Sequence, residues 1–264
     1  MKNDRPIPPT NKRIIQSNYR VSFLIYACAL ILSFTIATTA AHEVTRAEVV
    51  AGAELLYQAR IEAMQRKFQL DNDGVFLARV RHIAQTLIAQ ASREHPDSAT
   101  FKWEIHSTDD HDENASCMAG GKLLIGQNYV LNLELNDAEL AMMLSHEIQH
   151  ALLEHNFKEF QEAQRVAPEW KNRSFLELEN ALDDDDTLMS QLSEFDMTQE
   201  NEADAEGLKM AWRAGWPALK LAGYYKKLAR TDAMANFSSR EHPASAQRWQ
   251  AARTLAEQLN KLNR

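Results

Sequence analysis

The run Ser145-His146-Glu147-Ile148-Gln149-His150 constrains this chain more than any other stretch, because it sits inside an apolar-periodic segment, 136–156, that reads as a helix. Positions four apart on an α-helix share a face about one turn from each other, so His146 and His150 present their imidazoles to one point. Glu147 lies one step round the helix. Two neutral nitrogen donors with a carboxylate beside them suit zinc and a water molecule. A pattern with only three fixed letters also recurs by accident in long helices, so the pentapeptide alone leaves a plain structural helix open. A structural zinc site needs four protein ligands, whereas a hydrolytic one needs three and a vacant position. The helix gives two, and a third has to come from elsewhere in the chain.

Candidates stand in Gln199-Glu200-Asn201-Glu202-Ala203-Asp204. Glu200 and Asp204 are spaced i, i+4, so one carboxylate can bind the metal while the other reaches the outer nitrogen of a bound histidine and fixes its tautomer. Ala203, Gly207 and Ala211 form a row of small residues beside them, which lets this helix pack closely on the first. Glu202 and Glu206 read as a solvated acidic face.

Taken together these residues resemble the gluzincin metallopeptidases related to the CAAX prenyl endopeptidases and the bacterial envelope quality-control and outer-membrane-assembly proteases, metallopeptidase family forty-eight. The resemblance runs from about residue 71 to the C-terminus. It implies that Glu200, the first acid of E-x-E-A-D, is the third zinc ligand beside His146 and His150, that Asp204 supports a ligand from behind, and that one Zn2+ is held per chain. A further family signature, H-P followed by Arg, is matched by His242-Pro243 and Arg248. It implies that His242 and Arg248 approach the site to bind substrate or to stabilise the tetrahedral intermediate. The implied fold is α+β and mostly helical, a zincin-like metalloprotease core with a small sheet whose edge strand borders the active site.

The N-terminus carries a different signal. Residues 1–20 hold Lys2, Arg5, Lys12, Arg13 and Arg20 against one acid, Asp4, and residues 21–37 are almost wholly apolar before the small run Ala37-Thr38-Thr39-Ala40-Ala41. Basic, then apolar, then small is the order of a secretory signal. The apolar run is borderline for spanning a bilayer, which takes about 20 residues, so 21–41 is read as a signal peptide or an uncleaved inner-membrane anchor. Either way residues 42–264 form one exported, periplasmic domain. Without the first 41 residues the net charge falls from −8 to near −12. That balance argues against a nucleic-acid partner or a polybasic membrane patch. Cys28 lies in the apolar run, so Cys117 is the only cysteine of the exported part and no disulfide forms within it.

Within that domain, 44–68 and 76–91 are apolar at helical spacing and are separated by the turn Asp71-Asn72-Asp73-Gly74. A calcium loop there is rejected because no acid stands at its closing end, which is His82-Ile83. Residues 101–106 alternate as a strand, 107–114 form an acidic loop, and 122–126 form a second strand. The resemblance makes 122–126 the edge along which an extended peptide lies, and an unpaired edge hydrogen-bonds any backbone. Cys117 is read as a small half-buried apolar residue rather than a latch on zinc. His106, His111 and His155 are read as structural or solvated. The charged stretch 157–197, with Asp183-Asp184-Asp185-Asp186, reads as a mobile loop and a candidate lid. Helices are expected from 216 to 230 and from 244 to 262.

The expected function is zinc-dependent endoproteolysis of unfolded or misassembled envelope proteins, with Glu147 and His242 as catalytic groups. The alternative is a holdase that binds such proteins and cuts rarely.

Overall fold

The computed structural model describes residues 44–182, 185–239 and 242–262. The basic segment 1–20 and the apolar segment 21–41 lie outside them, and no described helix is long and apolar enough to cross a membrane. Helix α1 (Arg46–Arg66) starts at Thr45, whose hydroxyl accepts from the Glu48 amide while the Glu48 carboxylate accepts from the Thr45 amide, a reciprocal cap. The turn at Asp71–Gly74 appears as expected. Asp73 caps α2 (Gly74–Glu94) by accepting from the amides of Val75 and Phe76.

Three short strands follow: β1 (Glu104–Thr108), β2 (Ala115–Met118) and β3 (Lys122–Gly126), in the order β1-β3-β2, with β1 parallel and β2 antiparallel to β3. Here the structure corrects the sequence expectation: 122–126 is the central strand and the edges belong to β1, bridged at Thr108 by Leu70, and to β2. The Lys-Leu-Leu-Ile-Gly sequence does not alternate because both its faces are buried. Leu124 packs with Tyr57, Ile61 and Met64 of α1, while Leu123 and Ile125 join the main core with α2. Lys122 shares the α1 face and is neutralised there by Glu54 at 2.9 Å and Glu104 at 2.7 Å. Ala115-Ser116-Cys117-Met118 holds no β-branched or aromatic residue, so its strand character comes from pairing with β3 rather than from propensity.

After α3 (Gln127–Asn132), Asn136 and Glu139 form a second reciprocal cap that starts α4 (Asp137–Leu152). Almost all of α4 is buried, as befits a helix at the centre of the domain. It stops short of the expected 156, because Glu154 takes a left-handed backbone (φ 58°) and the chain turns into α5 (His155–Val166). The expected mobile loop is helical as well: α5, α6 (Phe175–Leu182) and the start of α7 (Asp186–Arg213) bring Phe160, Ala163, Trp170, Phe175, Leu178, Leu188 and Leu192 onto Val49 and Ala53 of α1. Asp185, from the tetra-Asp run, caps α7. The expected helix over 216–230 is divided into α8 (Ala218–Leu221) and α9 (Gly223–Thr231), and α10 (Ser245–Leu262) closes the chain.

Helix α7 crosses α4 along the predicted small-residue row, with Ala203, Gly207 and Ala211 all buried. A Cβ on Gly207 would lie 3.0 Å from the His146 amide nitrogen and 3.1 Å from its Cα, both rigid backbone atoms. The Ser145 hydroxyl donates across the same seam to the Gly207 carbonyl at 2.5 Å. Replacing Gly207 by Ala gains about 1 kcal/mol of helix propensity yet forces the two helices apart. Gly207→Val adds more bulk with less of that gain. We expect Gly207→Val to lower stability by about 1–3 kcal/mol in urea denaturation and to weaken metal binding, with Gly207→Ala intermediate; a Val variant as stable as wild type would contradict this close crossing.

Candidate metal centre

Four side chains meet where α4 crosses α7. The Nε2 atoms of His146 and His150 lie 3.2 Å apart, Glu200 Oε2 is 3.4 Å from the first, and Glu200 Oε1 is 3.2 Å from the second. These three residues are the ones whose donor atoms converge among the described residues. The fit to a metal can be tested on this triangle. Tetrahedral zinc with bonds of about 2.0–2.1 Å holds its ligand atoms about 3.3 Å apart, which matches the spacing of the two imidazole nitrogens and of each from a Glu200 oxygen. Glu200 Oε2 is moreover buried and accepts no hydrogen bond, and such an atom is costly unless a cation faces it. The donor set therefore fits zinc.

The surroundings fix how the rings present their lone pairs. Asp204 Oδ1 stands 2.9 Å from His146 Nδ1, too oblique for an aligned hydrogen bond but close enough to hold the proton on that nitrogen and leave Nε2 free for a metal. Behind His150 stands His155, which opens α5 because of the turn at Glu154 and is fully covered. Its Nδ1 lies 3.0 Å from His150 Nδ1, and its Nε2 faces Glu202 Oε2 at 3.4 Å. Burial first, then the neighbouring His150, push the His155 pKa down to about 3, so the ring is neutral. With its proton on the nitrogen facing Glu202, it accepts from His150 Nδ1–H and turns the His150 lone pair inward. Sequence reading left His155 as structural or solvated and Glu202 on a solvated face. The proximity of His155 to the motif was the available signal, but its direction depends on one left-handed residue.

Charge explains the rest of the centre. Burial opposes charge on His146, yet the Glu200 and Asp204 carboxylates outweigh it and hold the ring up to about 10. Burial likewise opposes ionisation of both acids. His146 and His150 nevertheless hold Glu200 well below the ordinary carboxylate range, and Arg248 with His146 pushes Asp204 down to about 2. Without a metal the proton on His146 supplies the missing positive charge, so metal entry has to displace it. Glu147 differs. Burial raises its pKa and outweighs the opposing pull of His146, His150 and Arg248, which makes it the most basic carboxylate of the group.

Arg248 approaches the site, as the resemblance implies, and is anchored there by Asp204. Its Nε and one terminal nitrogen bind Asp204 at 2.8 and 2.6 Å, and the Tyr225 hydroxyl donates to Asp204 at 2.6 Å. This buried guanidinium is committed to orienting Asp204, with Glu200 Oε2 a further 3.4 Å away. His242 is half exposed on the rim, its Nε2 3.7 Å from Glu200 Oε2. Both line a cavity of about 600 Å³ together with His146, Glu147, Tyr129 and Asn114. Among the described residues, none of 157–197 lines it. Cys117 is buried in β2 within the main core, and burial raises its thiol pKa, as expected of an apolar filler. His106 pairs with Asp71 at 2.6 Å. The outer-shell geometry predicts that His155→Ala lowers zinc affinity about 10- to 100-fold in a chelator competition, while Arg248→Met, which strands Asp204, costs at least as much. Unchanged affinity in His155→Ala would show that its contact with His150 is incidental.

Comparison with known proteins agrees with this geometry. The model of peptidase family M48 matches residues 77–256, an interval that contains the whole donor set. The mitochondrial metalloendopeptidase OMA1 of Bos taurus is 30% identical over 103 residues, a stretch that covers 39% of this chain and 19% of that protein. The chain thus corresponds to a small part of that relative's length. With two histidines, one glutamate and the adjoining Glu147 in place inside the matched interval, the chain belongs to peptidase family M48.

Proposed function

We propose that this chain is an exported zinc-dependent endopeptidase, with one metal ion per chain, that hydrolyses peptide bonds of unfolded or misassembled proteins in the bacterial periplasm. The observation that carries the reading is the convergence of His146, His150 and Glu200 with half-buried Glu147 beside them. Family membership and the printed activity of OMA1 support peptide hydrolysis. Export rests on the basic, apolar and small-residue order of 1–41. The choice of disordered polypeptides rests on β2, whose outer edge no described strand covers and whose first residue, Ala115, lines the catalytic cavity. A backbone laid on that edge is held by main-chain hydrogen bonds and needs little sequence in common with any other.

Bound zinc supplies Lewis acidity toward the scissile carbonyl and lowers the pKa of a water molecule toward neutrality. Glu147, with its raised pKa, takes the proton of the attacking water and later delivers it to the leaving amine. His242 on the rim donates to the oxyanion as its charge develops. Asp204, aligned by Arg248 and Tyr225, keeps the His146 ring in register.

Three measurements test the reading. Glu147→Gln should bind zinc as wild type does and cleave casein about 100- to 10,000-fold more slowly. Undiminished cleavage by that variant would remove Glu147 from the chemistry. Chelation with 1,10-phenanthroline should abolish cleavage, and stoichiometric zinc should restore it; activity that survives metal removal would contradict the proposal. If wild type holds unfolded protein as tightly as Glu147→Gln does while neither cuts it, the holdase alternative replaces hydrolysis.

A further inference from the structure

Helix α9 has two working faces. Tyr224, Leu228 and Thr231, at i, i+4 and i+7, line the catalytic cavity. Gly223, Lys226, Lys227 and Arg230 line a second cavity of about 740 Å³ on its other side. That second cavity is walled by Trp216 and Trp249, both half-buried, and floored by the start of α4. Its charge is unusual for so acidic a protein. Lys227 is neutralised by Glu139 at 2.7 Å. Lys220, Lys226 and Arg230 are exposed, and among the described residues no hydrogen bond or ion pair reaches their side chains; Lys226 lies over the Trp249 ring at 5.9 Å. Asp137, the other acid lining the cavity, is paired with Arg79 at 2.7 Å. Three uncompensated cations therefore ring a concave site with two indole walls, in a chain of net charge −8.

We propose that this cleft is an exosite for an acidic segment of a polypeptide substrate, with carboxylates on Lys220, Lys226 and Arg230 and a neighbouring apolar side chain against Trp216 and Trp249. Charge complementarity selects an anionic occupant. Concavity selects a chain that enters the cleft over a bilayer, which meets protruding groups and flat faces. The proposal rests on the hydrolase reading for its purpose but not for its binding chemistry. The two cavities share α9 as a wall, about 10–12 Å across. A substrate with its cleaved bond in one and its acidic segment in the other needs a linker on the order of ten residues.

The test is fluorescence anisotropy with two labelled peptides, one alternating Glu with Leu and one alternating Lys with Leu, added to the full chain carrying Glu147→Gln so that nothing is cut. The Glu peptide should bind, should weaken with added salt, and should lose about tenfold or more of its affinity when Lys220→Glu, Lys226→Glu and Arg230→Glu are combined. A milder set with Gln at the same three positions, checked by circular dichroism, should give a smaller loss in the same direction. In chains that keep Glu147, the triple charge reversal should raise KM for a substrate with a Glu-rich tail by a similar factor and leave kcat, and the cleavage of an untailed neutral peptide, unchanged. Equal binding of the two peptides, or full binding by the triple variant, overturns the proposal. So does retention of phosphatidylglycerol vesicles through these cations without peptide binding, which would make the cleft a membrane contact. Glu-peptide binding by a wild-type chain that hydrolyses nothing would sustain the exosite and defeat the hydrolase reading.

Discussion

The close crossing of α4 and α7 is the constraint on which the centre depends. Two imidazoles on α4 meet two carboxylates on α7 in a buried place, with His146 3.4 Å from Glu200 and 2.9 Å from Asp204 and His150 3.2 Å from Glu200, and such a set is stable only around positive charge. The absence of a side chain at Gly207 permits the approach, and the Ser145 hydroxyl ties the backbones together there. Arg248 and Tyr225 hold Asp204 from the third side. Each part is costly alone: Asp204 without Arg248, or Glu200 without a cation, would be a buried unpaired carboxylate.

Much of this was legible in the sequence because it is local. Helical spacing places His146 beside His150 and Glu200 beside Asp204, and the row Ala203, Gly207, Ala211 announces a tight helix contact before any contact is seen. The reciprocal cap of Asn136 and Glu139 marks where α4 begins. What escaped was set by long-range packing. The resemblance brings Arg248 to the site, but only the docking of α10 on α7 shows that Asp204 holds one edge of its guanidinium, Nε and one terminal nitrogen. His155 reaches His150 through the left-handed turn at Glu154, a conformation that no residue type there advertises.

The sheet and the acidic middle of the chain miss for other reasons. Strand β2 lacks β-forming residues and is imposed by its hairpin with β3, so the edge was assigned to the wrong strand. Charge hid the helices of 157–197, although Phe160 with Ala163, Phe175 with Leu178 and Leu188 with Leu192 keep helical spacing and build a core of their own with α1. Net charge is silent about the far face of α9. An overall balance of −8 says nothing of three cations gathered round two tryptophans.

The account turns on zinc held by His146, His150 and Glu200, and X-ray absorption at the zinc edge of the purified chain tests that most directly. About one zinc per chain should appear, surrounded only by nitrogen and oxygen at about 2.0–2.2 Å, with one oxygen lost from the shell in Glu200→Ala. A sulfur scatterer at about 2.3 Å, or a spectrum indifferent to that substitution, would place the metal elsewhere and contradict the account.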